Sequence, residues 1–398
     1  MKAITIDINS FIPVNAAKER LFEPRKRRGK IDIPFLVITL ILLAFGLVML
    51  FSASYAYAFY NKGNSFYYIE RQLLFAVMGV AAMLAVSQVN YKILQKYSLL
   101  LYAGAVALLI VALFMRDERG FARWIYIGNF SFQPSEIAKF AIIVLFAHFA
   151  ATNASKMKTF QYGVLPFAMC LGLVVVLIIA EKHLSGTIII GALGIAMMWF
   201  GGTRLRYFGM LVAAGAAAVL IILIVPSFME YATNRVTMWM DPYADAKGEG
   251  YQTIQALIAI GSGGLWGTGL GNSRQKYLYI PAPQNDFIFA VVCEELGFIG
   301  ASFVLILFAL LIWRGFVIAM NCPDRFGSLL AAGCVTHIGM QVLLNIAVVT
   351  NTIPNTGISL PLFSYGGSAL MMTLGELGVV LSVSKKSNLN KILCMLRN

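Results

Sequence analysis

The chain has 398 residues, 59% of them hydrophobic and 12% charged, against the roughly 25% charged residues of soluble proteins. With a mean hydropathy of +0.78, this excludes both an ordinary soluble globule and a disordered chain. The formal charge of +13 does not point to nucleic acid, because the basic residues sort along the chain as membrane topology would sort them. Residues 1–33 are polar and hold eight Lys and Arg. They are too long and too basic for the n-region of a cleaved signal peptide, and are expected as a cytosolic tail. Apolar runs follow at 34–54, 72–89, 97–115, 136–152, 162–180, 187–201, 207–226, 286–313, 327–349 and 366–383. A helix needs about 20 apolar residues to cross a bilayer. The expected fold is therefore all-α: one polytopic membrane domain over 34–384 with about ten transmembrane helices. Residues 385–398 form a second basic tail.

The charges set the expected sidedness. With the N-terminus inside, the inner segments hold 20 of the 31 Lys and Arg, and every inner loop carries at least two. That satisfies the positive-inside rule and puts both termini in the cytosol. Twelve of the 18 Asp and Glu lie at or beyond the outer ends of spans, so any chemistry is expected to face outward. There is no Walker A motif, and the glycines of GSGGLWGTGLG (261–271) lack the strand and helix context of a phosphate loop. No nucleotide is expected. The five cysteines lack CxxC spacing, which argues against a disulfide framework or a zinc site.

The one long polar insertion is the expected outer loop, 227–285, and loops of that length are usually functional. It passes Arg235 and an acidic, turn-rich stretch. Residues 251–263 are expected as an interfacial helix, and Asp286 stands where the loop becomes the eighth span. Asp286 reads either as a functional carboxylate or as a helix cap. Glu136 and Lys139, three apart after Pro134, share a helix face and read as a rim salt bridge or as part of a cavity. Glu294 and Glu295 lie within the eighth span, where charges are costly and turn to protein or water. On a straight helix they point different ways, one to the groove and one to a neighbouring helix. His148 and His337 read as structural histidines away from these motifs.

Four ordered blocks carry a resemblance. GNSRQKYLYIPAPQNDFIFAVVCEELGFIG (271–300), RWIYIGNFSFQPSEIAK (123–139), IPNTGISLPLFSYGGSAL (353–370) and DPYADAKGEGYQTIQALIAIGSGGLWGTGLG (241–271) closely resemble the SEDS family of cell-wall polymerases. The sequence is nearer to the FtsW and SpoVE branch than to RodA. One element departs: where the family usually has Glu/Gln-Pro-Asp-x-Gly-Thr, this chain has Glu181-Lys182-His183-Leu184-Ser185-Gly186-Thr187.

The resemblance implies a peptidoglycan glycosyltransferase that polymerises lipid II at the outer face of the bacterial cytoplasmic membrane, in division or sporulation. A GlcNAc 4-hydroxyl attacks the anomeric carbon of a donor MurNAc, and undecaprenyl pyrophosphate leaves. A hydroxyl nucleophile needs one base, and Asp286 is the expected one. The leaving pyrophosphate needs cations rather than a second acid. The expected substrate-binding residues are Arg71, Arg123, Glu136, Lys139, Glu181, Lys182, Gln284, Glu294, Ser364, Tyr365 and Ser368. The basic members among them read alternatively as interface anchors. A weakly bound divalent cation, Mg or Mn, is expected to ride mainly on substrate phosphates, with no permanent protein cage. The implied partner is a class B penicillin-binding protein, a single-span transpeptidase, packed against the eighth and ninth spans, alongside other divisome proteins. Two alternatives stand beside this reading: a lipid II flippase, and a scaffold or activator of the transpeptidase. The one-sided pile-up of polar groups and the absence of a visible inverted repeat weigh against the flippase.

Overall fold

The computed structural model describes residues 29–115, 123–127, 130–181, 183–210, 235–248 and 250–387. The first helix, α1, runs from Ile33 to Lys62. Asp32 caps it by accepting from the Phe35 amide at 3.0 Å, with Pro34 in the first turn, where a missing N–H costs nothing. After Pro34 no proline interrupts it, and Gly63 ends it in the left-handed region at φ 69°. Then come α2 (Tyr67–Gln88), α3 (Lys92–Lys96), α4 (Ser98–Phe114), α5 (Pro134–Thr152), α6 (Phe160–Gly163), α7 (Leu165–Ala180) and α8 (Leu184–Gly201). Within the long loop lies α9 (Tyr251–Gly263), and beyond it α10 (Ile288–Met320), α11 (Arg325–Val349) and α12 (Gly367–Ser384).

Among the described residues, seven helical stretches are long and apolar enough to cross a membrane, and two shorter apolar helices accompany them. They coincide with nine of the ten expected spans. The remaining one, 207–226, lies outside the described residues from 211 onward. A short antiparallel hairpin departs from the purely helical expectation: β1 (Ile125–Ile127) pairs with β2 (Phe130–Phe132), Tyr126 opposite Ser131. Two β-rich runs separated by Gly-Asn are a recognised hairpin signal.

α5 is the innermost helix. Of its most apolar stretch, 72% is buried, against 22% for α2. It packs on α4, α7, α8, α11 and α12, while α12 lies along α2, and α10 contacts α1, α9 and α11. One end of the bundle is clasped by Asp32, whose carboxylate accepts from Arg314 Nε at 3.0 Å and Nη2 at 2.8 Å. Its amide donates to Ser384 Oγ at 3.0 Å. These bonds tie α1, α10 and α12 together.

α10 is broken. Gly297 has φ 65° and ψ −169° inside it, a conformation that glycine adopts without the usual steric cost. The freed backbone groups are taken by the glycine-rich stretch after α9. Thr268 N donates to Glu294 O and Gly269 N to Glu295 O, both at 2.9 Å, and Phe298 N donates to Gly264 O at 2.9 Å. A Cβ on Gly297 would stand 2.3 Å from Gly267 N. The glycines of 261–271 therefore let two backbones meet.

Candidate active site

A cavity of about 1030 Å³ opens at the other end of the bundle. Its wall is assembled from α2, the hairpin, the starts of α5 and α8, the loop before α10, and the connection between α11 and α12. Of the expected site residues, Asp286, Arg71, Arg123, Glu136, Lys139, Gln284, Tyr365 and Ser368 line it.

Asp286 is held by its backbone. Asn345, in α11, donates from one amide nitrogen to Asp286 O and to Ile358 O, each at 2.7 Å. Gln284 O accepts from Tyr365 N at 2.8 Å, so the loop before α10 is pinned to the SYGGS turn. Gly357, at φ 72°, passes so close that a Cβ there would lie 3.4 Å from Asp286 Oδ2. Its segment is fixed from two further sides, by Ser185 Oγ donating to Thr356 O and Arg235 donating to Asn355 O. The first residue of α10 is Ile288, and no side chain caps the helix, which removes the capping role considered for Asp286. Burial pushes the Asp286 carboxyl above its ordinary value, opposed by a backbone hydrogen bond and by the charge of Arg235.

The basic groups stand around the same space. The Arg71 guanidinium lies 4.3 Å from the Tyr67 ring centre, beside Tyr365, whose phenol is raised by burial and lowered by Arg71. Lys139 Nζ donates to Glu136 at 2.8 Å, both side chains nearly enclosed. His183, at the start of α8, lies within electrostatic range of Arg123, Lys139 and Glu136. Burial, with the help of both cations, lowers its imidazole to about 3, so at neutral pH the ring is uncharged. His183 lines the cavity in the element where the chain departs from the family pattern.

Some expected site residues are elsewhere. Lys182 lies outside the described residues. Glu181 is fully buried behind the wall, and neither carboxylate oxygen has a hydrogen-bond partner among the described residues. Burial pushes it up to about 8, against the pull of Arg123. Ser364 is buried as well, its Oγ accepting from Leu360 N at 2.8 Å. Glu294 does not reach the cavity: its carboxylate accepts from Ser273 Oγ and from Arg274 N. Glu295 accepts from Ser52 Oγ at 2.7 Å and from Lys276 Nζ at 2.8 Å. Neither glutamate faces the groove, because the loop folds back along the first part of α10 and occupies both carboxylates.

Sequence reasoning passed over three residues and set a fourth, His337, aside as structural. Asn345 and Gln341 are polar in an apolar span, a signal in itself. Gln72 donates to Ser364 O and accepts from Gly366 N, both at 3.2 Å. His337 is not remote from the motifs: it pairs with Glu376 at 2.8 Å and lies within electrostatic range of Glu136.

Known proteins share this sequence pattern and fold. The cell cycle protein family of FtsW, RodA and SpoVE matches residues 33–389. The chain belongs to this family. Stage V sporulation protein E of Bacillus subtilis is 41% identical over 361 residues, covering 89% of this chain and 97% of its own. A probable peptidoglycan glycosyltransferase FtsW of Geobacter sulfurreducens is 34% identical, over 91% and 97% of the two chains. Among solved structures, a chain from a peptidoglycan synthase complex superposes with a TM-score of 0.73 at 29% identity, over 89% of this chain and 97% of that one. RodA of Thermus thermophilus gives 0.67 at 25% identity, over 90% and 97%. Membership in the FtsW/RodA/SpoVE family and the apolar helices together make this an integral membrane protein.

Proposed function

We propose that the chain is a peptidoglycan glycosyltransferase that polymerises lipid II at the outer face of the cytoplasmic membrane, with both termini in the cytosol. The observation that carries this reading is one cavity whose wall holds the raised carboxyl of Asp286 together with Arg71, Arg123 and Lys139. Asp286 takes the proton of the acceptor's 4-hydroxyl. The oxygen bonds to the donor's anomeric carbon as the bond to pyrophosphate breaks, and the pyrophosphate keeps the electron pair. Burial that raises the proton affinity of a carboxylate makes it a stronger base for a hydroxyl proton. The cations bind the two phosphates and stabilise the charge that grows there.

Among the described residues, no group of three or more His, Cys, Asp or Glu side chains is placed to hold a metal ion. A divalent cation would therefore sit chiefly on the substrate's own phosphates, with the Asp286 carboxylate among the oxygen donors of the cavity wall. Such an ion would supply positive charge to the leaving pyrophosphate. The partner in this reading is a class B penicillin-binding protein lying against α10 and α11. Support comes from an apolar stripe left uncovered on α10, with Phe298, Phe303, Ile306, Leu310 and Trp313 all exposed.

The test is synthesis of glycan strands from lipid II by the purified chain in detergent, where there is no bilayer for a flippase to cross. The expected result is polymer with release of undecaprenyl pyrophosphate, strongly reduced after exhaustive chelation. Absence of polymer contradicts the glycosyltransferase reading, and full activity after chelation contradicts the cation.

A further inference from the structure

Outside the cavity, a buried cluster of three charges takes no part in the proposed chemistry. Lys276, Glu294 and Glu295 are 2%, 1% and 0% exposed, and none of them lines the cavity. The Lys276 ammonium uses all three of its protons. It donates to Glu295 Oε1 at 2.8 Å, to Ser52 Oγ at 3.0 Å and to Gly271 O at 2.6 Å. Ser52 in turn donates to the Glu295 carboxylate at 2.7 Å. Glu294 Oε1 accepts from Arg274 N at 2.8 Å, and Oε2 accepts from Ser273 Oγ, which itself accepts from Lys276 N at 3.1 Å. A lysine so occupied is not an anion ligand of the cavity.

Lys276 precedes Asp286 by ten residues and Glu295 follows it by nine. The ion pair therefore closes a loop at its base, with Asp286 near the middle. The far part of that loop, including Ala282, Gln284, Asn285 and Asp286, lines the cavity. From Ile288 to Glu295 the helix rises about 10 Å, so the base lies well along α10. Between Lys276 and Asp286 two residues other than glycine have positive φ, Leu278 at 68° and Ala282 at 46°. Such conformations persist only where the surrounding structure over-determines them. The cluster does this at the base, and Asn345 and Tyr365 do it at the far end by bonding Asp286 O and Gln284 O. A buried ion pair adds little net stability, because desolvation offsets the attraction, but it tolerates one register. A slip of one residue would leave a buried charge unpaired.

We propose that Lys276, bonded to Glu295, is a positioning residue for the transfer reaction: the pair sets the register in which the outer loop returns along α10, and so fixes where the Asp286 carboxylate stands. This rests on the glycosyltransferase reading above, in which Asp286 is the base. The cations of the cavity wall are carried by other elements, Arg71 by α2, Arg123 by the segment before β1 and Lys139 by α5. The pair therefore governs the proton acceptor and leaves the anion-binding groups in place.

The experiment compares full-length wild type, Ser273→Ala and the double variant Lys276→Met/Glu295→Met in detergent. It measures melting temperature, kcat and KM for lipid II, and amide hydrogen exchange. Apolar replacement of a whole buried ion pair commonly preserves stability, so the double variant should melt within about 5 °C of wild type. Its kcat should fall about tenfold to a hundredfold, the effect of a misplaced reacting group, while KM changes less than about threefold. Exchange should quicken about tenfold in the peptides carrying residues 282–287 and the Tyr365 amide. Ser273→Ala removes one hydroxyl and should show the same pattern at about threefold; it decides the matter if the double variant does not fold. Wild-type kcat and wild-type exchange in both variants would overturn the inference. So would a joint loss of melting temperature, lipid II affinity and turnover, which would mark the cluster as packing. If the wild type makes no glycan but both variants quicken exchange around Asp286, the glycosyltransferase reading fails while the positioning of Asp286 stands.

Discussion

Glu181 shows what a single buried carboxyl does to the molecule. It has no hydrogen-bond partner among the described residues, and its carboxyl is pushed up to about 8 by burial. In the unfolded chain it would release its proton near 4.5. The native state therefore holds the extra proton between those values. The stability this gives is fully present at acid pH and is lost as pH rises through about 8. The melting temperature of the wild type should fall by about 5 °C across that window, and Glu181→Gln should remove most of the fall. An unchanged slope in the variant would contradict the assignment. The sequence marked Glu181 as part of an altered motif and, by resemblance, as a substrate-binding residue. Its role behind the wall rather than in it depends on how Arg123 and the start of α8 pack, which residue spacing does not encode.

At the scale of the element, α10 carries the most information. Hydrophobic length located it, as it located the other spans, because the bilayer fixes how many apolar residues a helix needs. The break at Gly297 was not legible, since a glycine in an apolar run fits an unbroken helix equally well. Nor was the fate of Glu294. A straight-helix projection separated it correctly from Glu295, but the returning loop claims both carboxylates. Asp286 was legible because it stands at a junction between loop and span, and its support by Asn345 was not. Gly297→Ala tests the break. The new methyl meets Gly267 N at 2.3 Å and Leu265 O at 2.5 Å, in a left-handed conformation that alanine disfavours. The expected cost is about 2–4 kcal/mol, with glycan synthesis reduced at least tenfold because the loop that supports the start of α10 is displaced. A variant that melts and polymerises like wild type would show that the backbone contact is dispensable.

For the whole molecule, the cavity and the long loop share one end, and the Asp32–Arg314 clasp marks the other. In the sequence, 20 of the 31 Lys and Arg fall in the two tails and the loops expected on the inner side, and in the topology proposed above the clasped end faces the cytosol. A cysteine placed at Lys247, with the native thiols blocked, should react with an impermeant reagent added outside intact cells. Labelling only after permeabilisation would reverse the orientation. The central claim is that this cavity makes a glycosidic bond with Asp286 as the base. Its most direct test is glycan-strand synthesis measured beside lipid II affinity for wild type and Asp286→Asn. Asparagine keeps the shape and much of the hydrogen bonding but removes the basicity. Synthesis should fall by about 10²–10⁴, while affinity changes little, because the lost interaction acts in the transition state. Near-normal synthesis by Asp286→Asn would contradict the account.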